Sequence, residues 1–258
     1  MVIALTTNSP TPQKDFASPG AAVLWKVWQE SRSRFFTAVV LLALVVVYAV
    51  IRVHLSTGKR PLYSVSIWEG LFHYALEGLW VVAAFILTLG GLRREKATGT
   101  ALFSLGLPVT RLRLFLSRAA LARVETVVLG LVSALLIPLV SHFVGESYPF
   151  DQAVAFGALM SAAGLVIVAI GLLLSEIFEG EFTAAAVGLC ALPAIFLSYQ
   201  TGTLHGWNVF DVMSATAYVD GTTRLLNGAV PWLDLTVCLL VSCGLLLTAA
   251  VTIRTRDL

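Results

Sequence analysis

Apolar runs of about twenty residues recur along this chain, separated by short charged segments, and no other feature limits the fold as strongly. Inside a bilayer each backbone N–H and C=O must find a partner within its own segment, so runs of this length become membrane-spanning helices. The composition agrees: 58% of residues are hydrophobic and 12% charged, with a mean hydropathy of +0.87. A soluble domain carries about twice that share of charge. At 258 residues there is room for five to seven spans and for no large soluble domain. A net charge of +2 gives no basis for a nucleic-acid partner; the lipid bilayer is the partner that the composition requires. Cys190, Cys238 and Cys243 all lie within apolar runs and read as small hydrophobes, not as bridges or ligands.

Six spans are predicted, over residues 35–53, 73–92, 124–144, 152–175, 182–200 and 232–253. Pro138 and Pro193 fall inside the third and fifth and predict kinks there. Residues 1–19, rich in Ser, Thr and Pro, read as a disordered tail. From Gly20 to Arg34 the residues Val23, Leu24, Val27 and Trp28 fall on one helical face opposite Lys26, Gln29, Glu30 and Ser33. That pattern predicts a helix lying in the membrane surface, the alternative being a simple extension of the first span. The second run is too short alone and must reach back past Glu77 toward His73, giving it a polar outer end. Trp80 and Trp232 are candidates for interfacial aromatic belts.

Orientation follows from Lys and Arg. Thirteen of the 17 basic residues precede the first span, follow the last, or lie between spans two and three, where Arg93, Arg94, Lys96, Arg111, Arg113, Arg118 and Arg123 cluster. The positive-inside rule then places both termini in the cytoplasm of a multi-pass cell-membrane protein, which an even number of spans satisfies.

The connection between spans two and three carries the most information. It reads Arg93-Arg94-Glu95-Lys96-Ala97-Thr98-Gly99-Thr100, then an apolar turn from Ala101 to Leu107, then Pro108-Val109-Thr110-Arg111. A charged exit, a Gly-Thr break, a short amphipathic helix and a Pro stop make an object that another protein can push against. The plain alternative is an ordinary basic loop. The chain has no phosphate-cradling loop: its one Gly-Lys, Gly58-Lys59, is followed by Arg60 and has Val53 where the earlier glycine would stand. ATP hydrolysis therefore needs another subunit, and this chain is not expected to be an enzyme.

The order Glu95, Gly99-Thr100, Pro108-Val109-Thr110-Arg111 resembles the signature of type-two ABC transporter permeases, and the ending Arg254-Thr255-Arg256-Asp257-Leu258 is similar to the Arg-Arg-Asp close common there. The resemblance implies a six-span exporter subunit with an N-terminal interfacial helix and short outer helices between spans five and six, moving amphipathic or hydrophobic cargo. It implies that a separate nucleotide-binding ATPase, holding the ATP and Mg, docks on the inner loops, and that a second copy or a related permease completes the membrane unit. It assigns Arg94, Glu95, Gly99, Thr100, Pro108 and Arg111 to the coupling element, with Glu179 in the inner loop between spans four and five. A scaffold or mechanotransmission subunit acting on an outer partner is the main alternative, and an ion-coupled carrier or channel a weaker one.

Two further readings concern the spans themselves. Glu69, His73 and Glu77 recur every four residues at the end of span two and share one helical face. The stripe is a weak candidate for a metal site or proton relay, set against a bland patch touching headgroups and water. With Arg123, Glu125 and Asp234 placed near span ends, every span core reads as uncharged, which argues against ion coupling. Ala153, Gly157 and Ser161 in span four, and Ala184 and Gly188 in span five, predict close helix approach, within the subunit more readily than at a dimer seam.

Overall fold

The computed structural model describes residues 19–56, 62–89, 110–178, 183–201, 208–227 and 230–255. Their regular structure is helical, apart from one isolated antiparallel bridge between Val219 and Leu226. Helix α1 is Pro19–Ser56 and α2 is Tyr63–Thr88, the latter passing through a π-helical stretch at Trp68–Leu76. Then come α3 (Arg111–Phe143), α4 (Phe150–Ile177), α5 (Thr183–Gln200), the short α6 (Val209–Ser214) and α7 (Trp232–Thr255).

Five of these, α1, α2, α3, α4 and α7, are long and apolar enough to cross a membrane, and the chain is a multi-pass helical membrane protein. The predicted fifth span corresponds to α5, whose apolar part, Thr183–Ser198, is shorter than the others. At 18 residues α5 spans about 27 Å, just under a hydrocarbon core of about 30 Å. Pro138 and Pro193 both lie inside helices that continue past them.

The ends of the helices mark two ends of the bundle. Glu30 of α1 meets Arg118 of α3 at one, and His54 of α1 meets Glu146, just past α3, at the other, so α1 and α3 run parallel. Gln152, at the start of α4, bonds both the N–H and the C=O of Leu226 near this second end, and Ser161 of α4 reaches the Val127 carbonyl of α3, so α4 runs against α3. These are called below the Arg118 end and the Asp220 end.

Helix α4 is the centre: 67% of its apolar window is buried, against 17% for α7 and 22% for α1. On α1, Ala38, Leu42, Val46 and Val50 face inward while Phe36, Val40, Leu44 and Tyr48 face out. A helix apolar on both its buried and its exposed face requires lipid outside it. Lipid tails are as apolar as Leu, so the helices are held by close packing, and small residues set the seams. Gly157 lies against Ala134 and Gly130 of α3, Gly164 against the Trp80 indole of α2, and Gly188 of α5 against the Phe85 ring. Ala153 and Ser161 are buried in the same seam, so the small residues of α4 serve packing within the subunit, as expected.

Three expectations are corrected. The segment 20–34 is not a separate surface helix, because α1 is one unbroken helix of 38 residues. Its Val23 and Val27, taken for a lipid-facing side, pack on Leu114 of α3. Span two begins at Tyr63, ten residues before the predicted start, and its regular helix stops at Thr88, with Leu89 extended. Trp80 lies in no interfacial belt, being fully buried, whereas Trp232 is 71% exposed.

Candidate functional site

The predicted coupling residues Arg94, Glu95, Gly99, Thr100 and Pro108, together with Glu179, lie outside the described residues, and so does the predicted coupling helix. Arg111 is described: it is the first residue of α3, capped by the Thr110 side chain, whose Oγ1 accepts from the Arg113 N–H at 3.3 Å. A threonine there satisfies one of the four free N–H groups at a helix start. The Pro-Val-Thr-Arg run of the sequence thus ends as a helix N-cap.

Residues 90–109 connect Leu89 to Thr110, and both of these flanking residues belong to the Arg118 end. At the departure point Arg34 of α1 donates from Nη1 to the Leu89 carbonyl and to the Ile86 carbonyl at 3.2 Å. The last carbonyls of a helix lack intrahelical partners and carry partial negative charge, so a guanidinium clamps them well. About two turns into α3, Arg118 pairs with Glu30 of α1 at 3.2 Å, and Lys26 pairs with the other Glu30 oxygen at 3.5 Å. About two turns further along α3, Glu125 Oε1 accepts from the Ser31 hydroxyl, and the Arg34 charge also acts on that carboxylate. Glu125 is 2% exposed and its second oxygen has no partner. Val27, Ser31, Arg34, Leu89, Arg118 and Glu125 line a cleft of about 10 Å³, room for about one water.

This junction ties the Leu89 end of the connection, and the second turn of α3 beyond its other end, to α1. In the sequence Arg34 and Arg118 stand out only as basic residues, and Glu125 only as a charge near a span end. Their partners lie 52 to 94 positions away, and no local spacing signals such pairs.

The Glu69, His73 and Glu77 stripe is dispersed among different partners. Glu69 pairs with Arg224 at 3.6 Å and is half exposed. His73 stacks on Trp68 with centroids 4.9 Å apart and planes 8° from parallel. Glu77 is fully buried, and neither of its carboxylate oxygens has a hydrogen-bond partner. Among the described residues no three His, Cys, Asp or Glu side chains stand where they could hold one metal ion. With α2 starting at Tyr63, Glu77 lies in the middle of its span rather than at its end, which corrects the expectation that every span core is uncharged.

At the Asp220 end a small hairpin covers the bundle. The Asp220 carboxylate accepts from the Thr222 and Thr223 N–H groups at 3.2 and 2.9 Å and from both hydroxyls. These bonds, led by that from the Thr222 hydroxyl, hold its pKa down to about 2. The Tyr218 hydroxyl donates to Asp234 Oδ2 at 2.6 Å, and that bond to a carboxylate raises the phenol above its ordinary value. Arg224 takes the left-handed conformation (φ 54°), unusual for a side chain of its size, and its guanidinium lies 4.9 Å from the Trp68 ring centroid. Beside this hairpin, Ala158, Leu159, Ala162, Tyr218, Trp232 and Leu235 line an apolar cavity of about 300 Å³.

Fold and geometry define the class: a multi-pass helical membrane protein with one polar junction at each end of the bundle. No family model matches the chain, and no curated protein matches it.

Proposed function

We propose that this chain is the membrane-spanning permease subunit of an ATP-driven exporter of the type-two ABC class, working in the cell membrane with both termini in the cytoplasm. The single observation that supports the reading is the anchorage of residues 90–109. This segment carries the Arg94, Glu95, Gly99-Thr100 and Pro108 signature; the Leu89 residue before it is clamped to α1 by Arg34, and the helix after it is paired to α1 by Arg118, about two turns in. A push on the segment is thereby delivered to α1, α2 and α3 together. In this reading α5 completes a sixth span, α6 and the 3₁₀ turn Thr216–Tyr218 are the short outer helices, and the apolar cavity near Trp232 suits hydrophobic or amphipathic cargo. ATP and Mg bind to the partner ATPase, and a second copy or a related permease supplies the other half of the pathway.

Purification of the full chain in mild detergent tests this. A nucleotide-binding subunit should co-elute, and charge reversal by Arg94→Glu with Glu95→Lys should release it or abolish cargo-stimulated ATPase. Arg34→Gln should leave the partner bound while lowering that stimulation. Transport by the purified chain alone in liposomes, with no nucleotide-hydrolysing companion, would overturn the proposal.

A further inference from the structure

One group in the bundle has no role in the exporter reading, and its surroundings are incompatible with charge. Glu77 is completely buried at the middle of α2, and both carboxylate oxygens are unpartnered. An isolated carboxylate in a low-dielectric interior favours its protonated form, so such a side chain is suited to taking up a cation. The residues one and two turns nearer the Asp220 end form a graded approach to it. Glu69 is half exposed and paired with Arg224, His73 is partly buried and stacked on Trp68, and Glu77 is sealed. All three lie along one side of α2, and the stretch that joins them, Trp68–Leu76, is π-helical, a local form that recurs at functional sites. Among the described residues the charged groups bearing on this row from other elements are Asp211 of α6, which acts on His73 and Glu77, and Arg224 of the hairpin, which acts on His73.

We infer that Glu77 is a proton-binding site inside the membrane, loaded and emptied from the Asp220 end through His73 and Glu69, with Arg224 and Trp68 over its mouth. On release, the carboxyl O–H bond of Glu77 breaks and its proton passes to a water that enters between Glu77 and His73, since neither Glu77 oxygen is hydrogen-bonded in this arrangement. That water in turn gives a proton to a nitrogen of neutral His73. The resulting imidazolium then gives up a proton to Glu69 or to water beyond it. Release leaves an anion in apolar packing, which favours whichever arrangement of the helices brings water or a cationic group to Glu77. Proton occupancy and helix arrangement are then linked, because the proton binds the two arrangements with different affinity. The ligand is a proton rather than a metal ion, for among the described residues no three His, Cys, Asp or Glu side chains converge on one point.

The test uses the full chain in native membrane vesicles and the apolar reagent dicyclohexylcarbodiimide, which attacks protonated carboxyls. The carboxyl proton moves to a carbodiimide nitrogen, the carboxylate oxygen bonds the central carbon, and an acyl shift gives a stable N-acylurea that peptide mass spectrometry locates. Glu77 should be labelled near neutral pH, with yield falling roughly tenfold per pH unit above a midpoint. Glu77→Gln should lose that adduct, and His73→Gln should slow the loss of labelling after a pH jump on the Asp220 side. Three results overturn the inference: no adduct at Glu77 at any pH, an adduct whose yield does not change with pH, or a pH-jump response unaltered by His73→Gln. The first two are read on the unmodified chain, so a variant that fails to fold does not rescue the idea. The outcome is also separate from that of the ATPase co-purification: a Glu77 without proton exchange leaves the exporter reading intact, and a chain without a motor leaves this site intact.

Discussion

The seam between α2 and α4 and the junction between α1 and α3 hold the same bundle together by opposite means. In the seam Trp80 fills the space beside Gly164, Phe85 and Thr88 lie against Gly171, and the indole N–H of Trp80 has no hydrogen-bond partner. At the junction Ser31 donates to Glu125, Arg118 pairs with Glu30, and Arg34 donates to backbone carbonyls. Each region contains a buried glutamate, and the contrast between them is instructive. Glu125 has a donor in Ser31 and a nearby cation in Arg34, whereas Glu77 has neither. Shape carries the first region and polarity the second, so damage to them should differ in size and in what repairs it.

The largest effect belongs to the seam. Trp80→Ala should cost about 3–5 kcal/mol in reversible denaturation in detergent, since the cavity next to Gly164 has no side chain to collapse into it. A loss under about 1 kcal/mol would show the seam to be loosely packed. Gly164→Ala inserts a methyl where the indole stands and should cost about 1–3 kcal/mol, partly recovered by Trp80→Phe in the double variant. At the junction, Ser31→Ala removes the donor to Glu125 and should cost about 1–3 kcal/mol, with Ser31→Thr restoring most of it. An alanine variant as stable as the parent would mean that Glu125 finds another donor.

The smallest effect lies outside the bundle, at the hairpin, and is seen in pH dependence. The Asp220 pKa, about 2, is below its unfolded value of about 3.9, so the carboxylate's stabilisation of the hairpin is complete above about pH 4. It is lost as the pH falls through about 2. Protection of the Thr222 and Thr223 amides from hydrogen exchange should follow that loss, and Asp220→Asn should reduce it at neutral pH. Protection unchanged across this range would show the turn to be held by its backbone bonds alone.

Much of the fold was legible in hydropathy, because lipid imposes length and apolarity on each span. The exceptions have physical causes. The first half of α2 carries Ser64, Ser66, Glu69 and His73 among its apolar residues, so the average hides a helix whose polar groups turn toward the bundle and the hairpin. Amphipathicity at 20–34 was read correctly as a pattern, but periodicity cannot tell a lipid surface from a neighbouring helix, and here the apolar side found Leu114. The small residues of α4 were recognisable from their four-residue spacing, whereas the Trp80 that fills their groove was not, since no rule of spacing links residues so distant in sequence. The junction was invisible for the same reason. Thr110 stood in plain view within the Pro-Val-Thr-Arg run, and only the Arg113 N–H on its side chain identifies it as a cap.

Helix α1 has a mechanical consequence. Unbroken for 38 residues, it measures about 57 Å, nearly twice the hydrocarbon thickness of about 30 Å. A rod of that length cannot lie wholly within the hydrocarbon, and the excess suits its charged N-terminal third, where Lys26, Glu30, Arg32 and Arg34 sit. Since Glu30 meets Arg118 near one end and His54 meets Glu146 near the other, tilting α1 without α3 would strain one pair or the other.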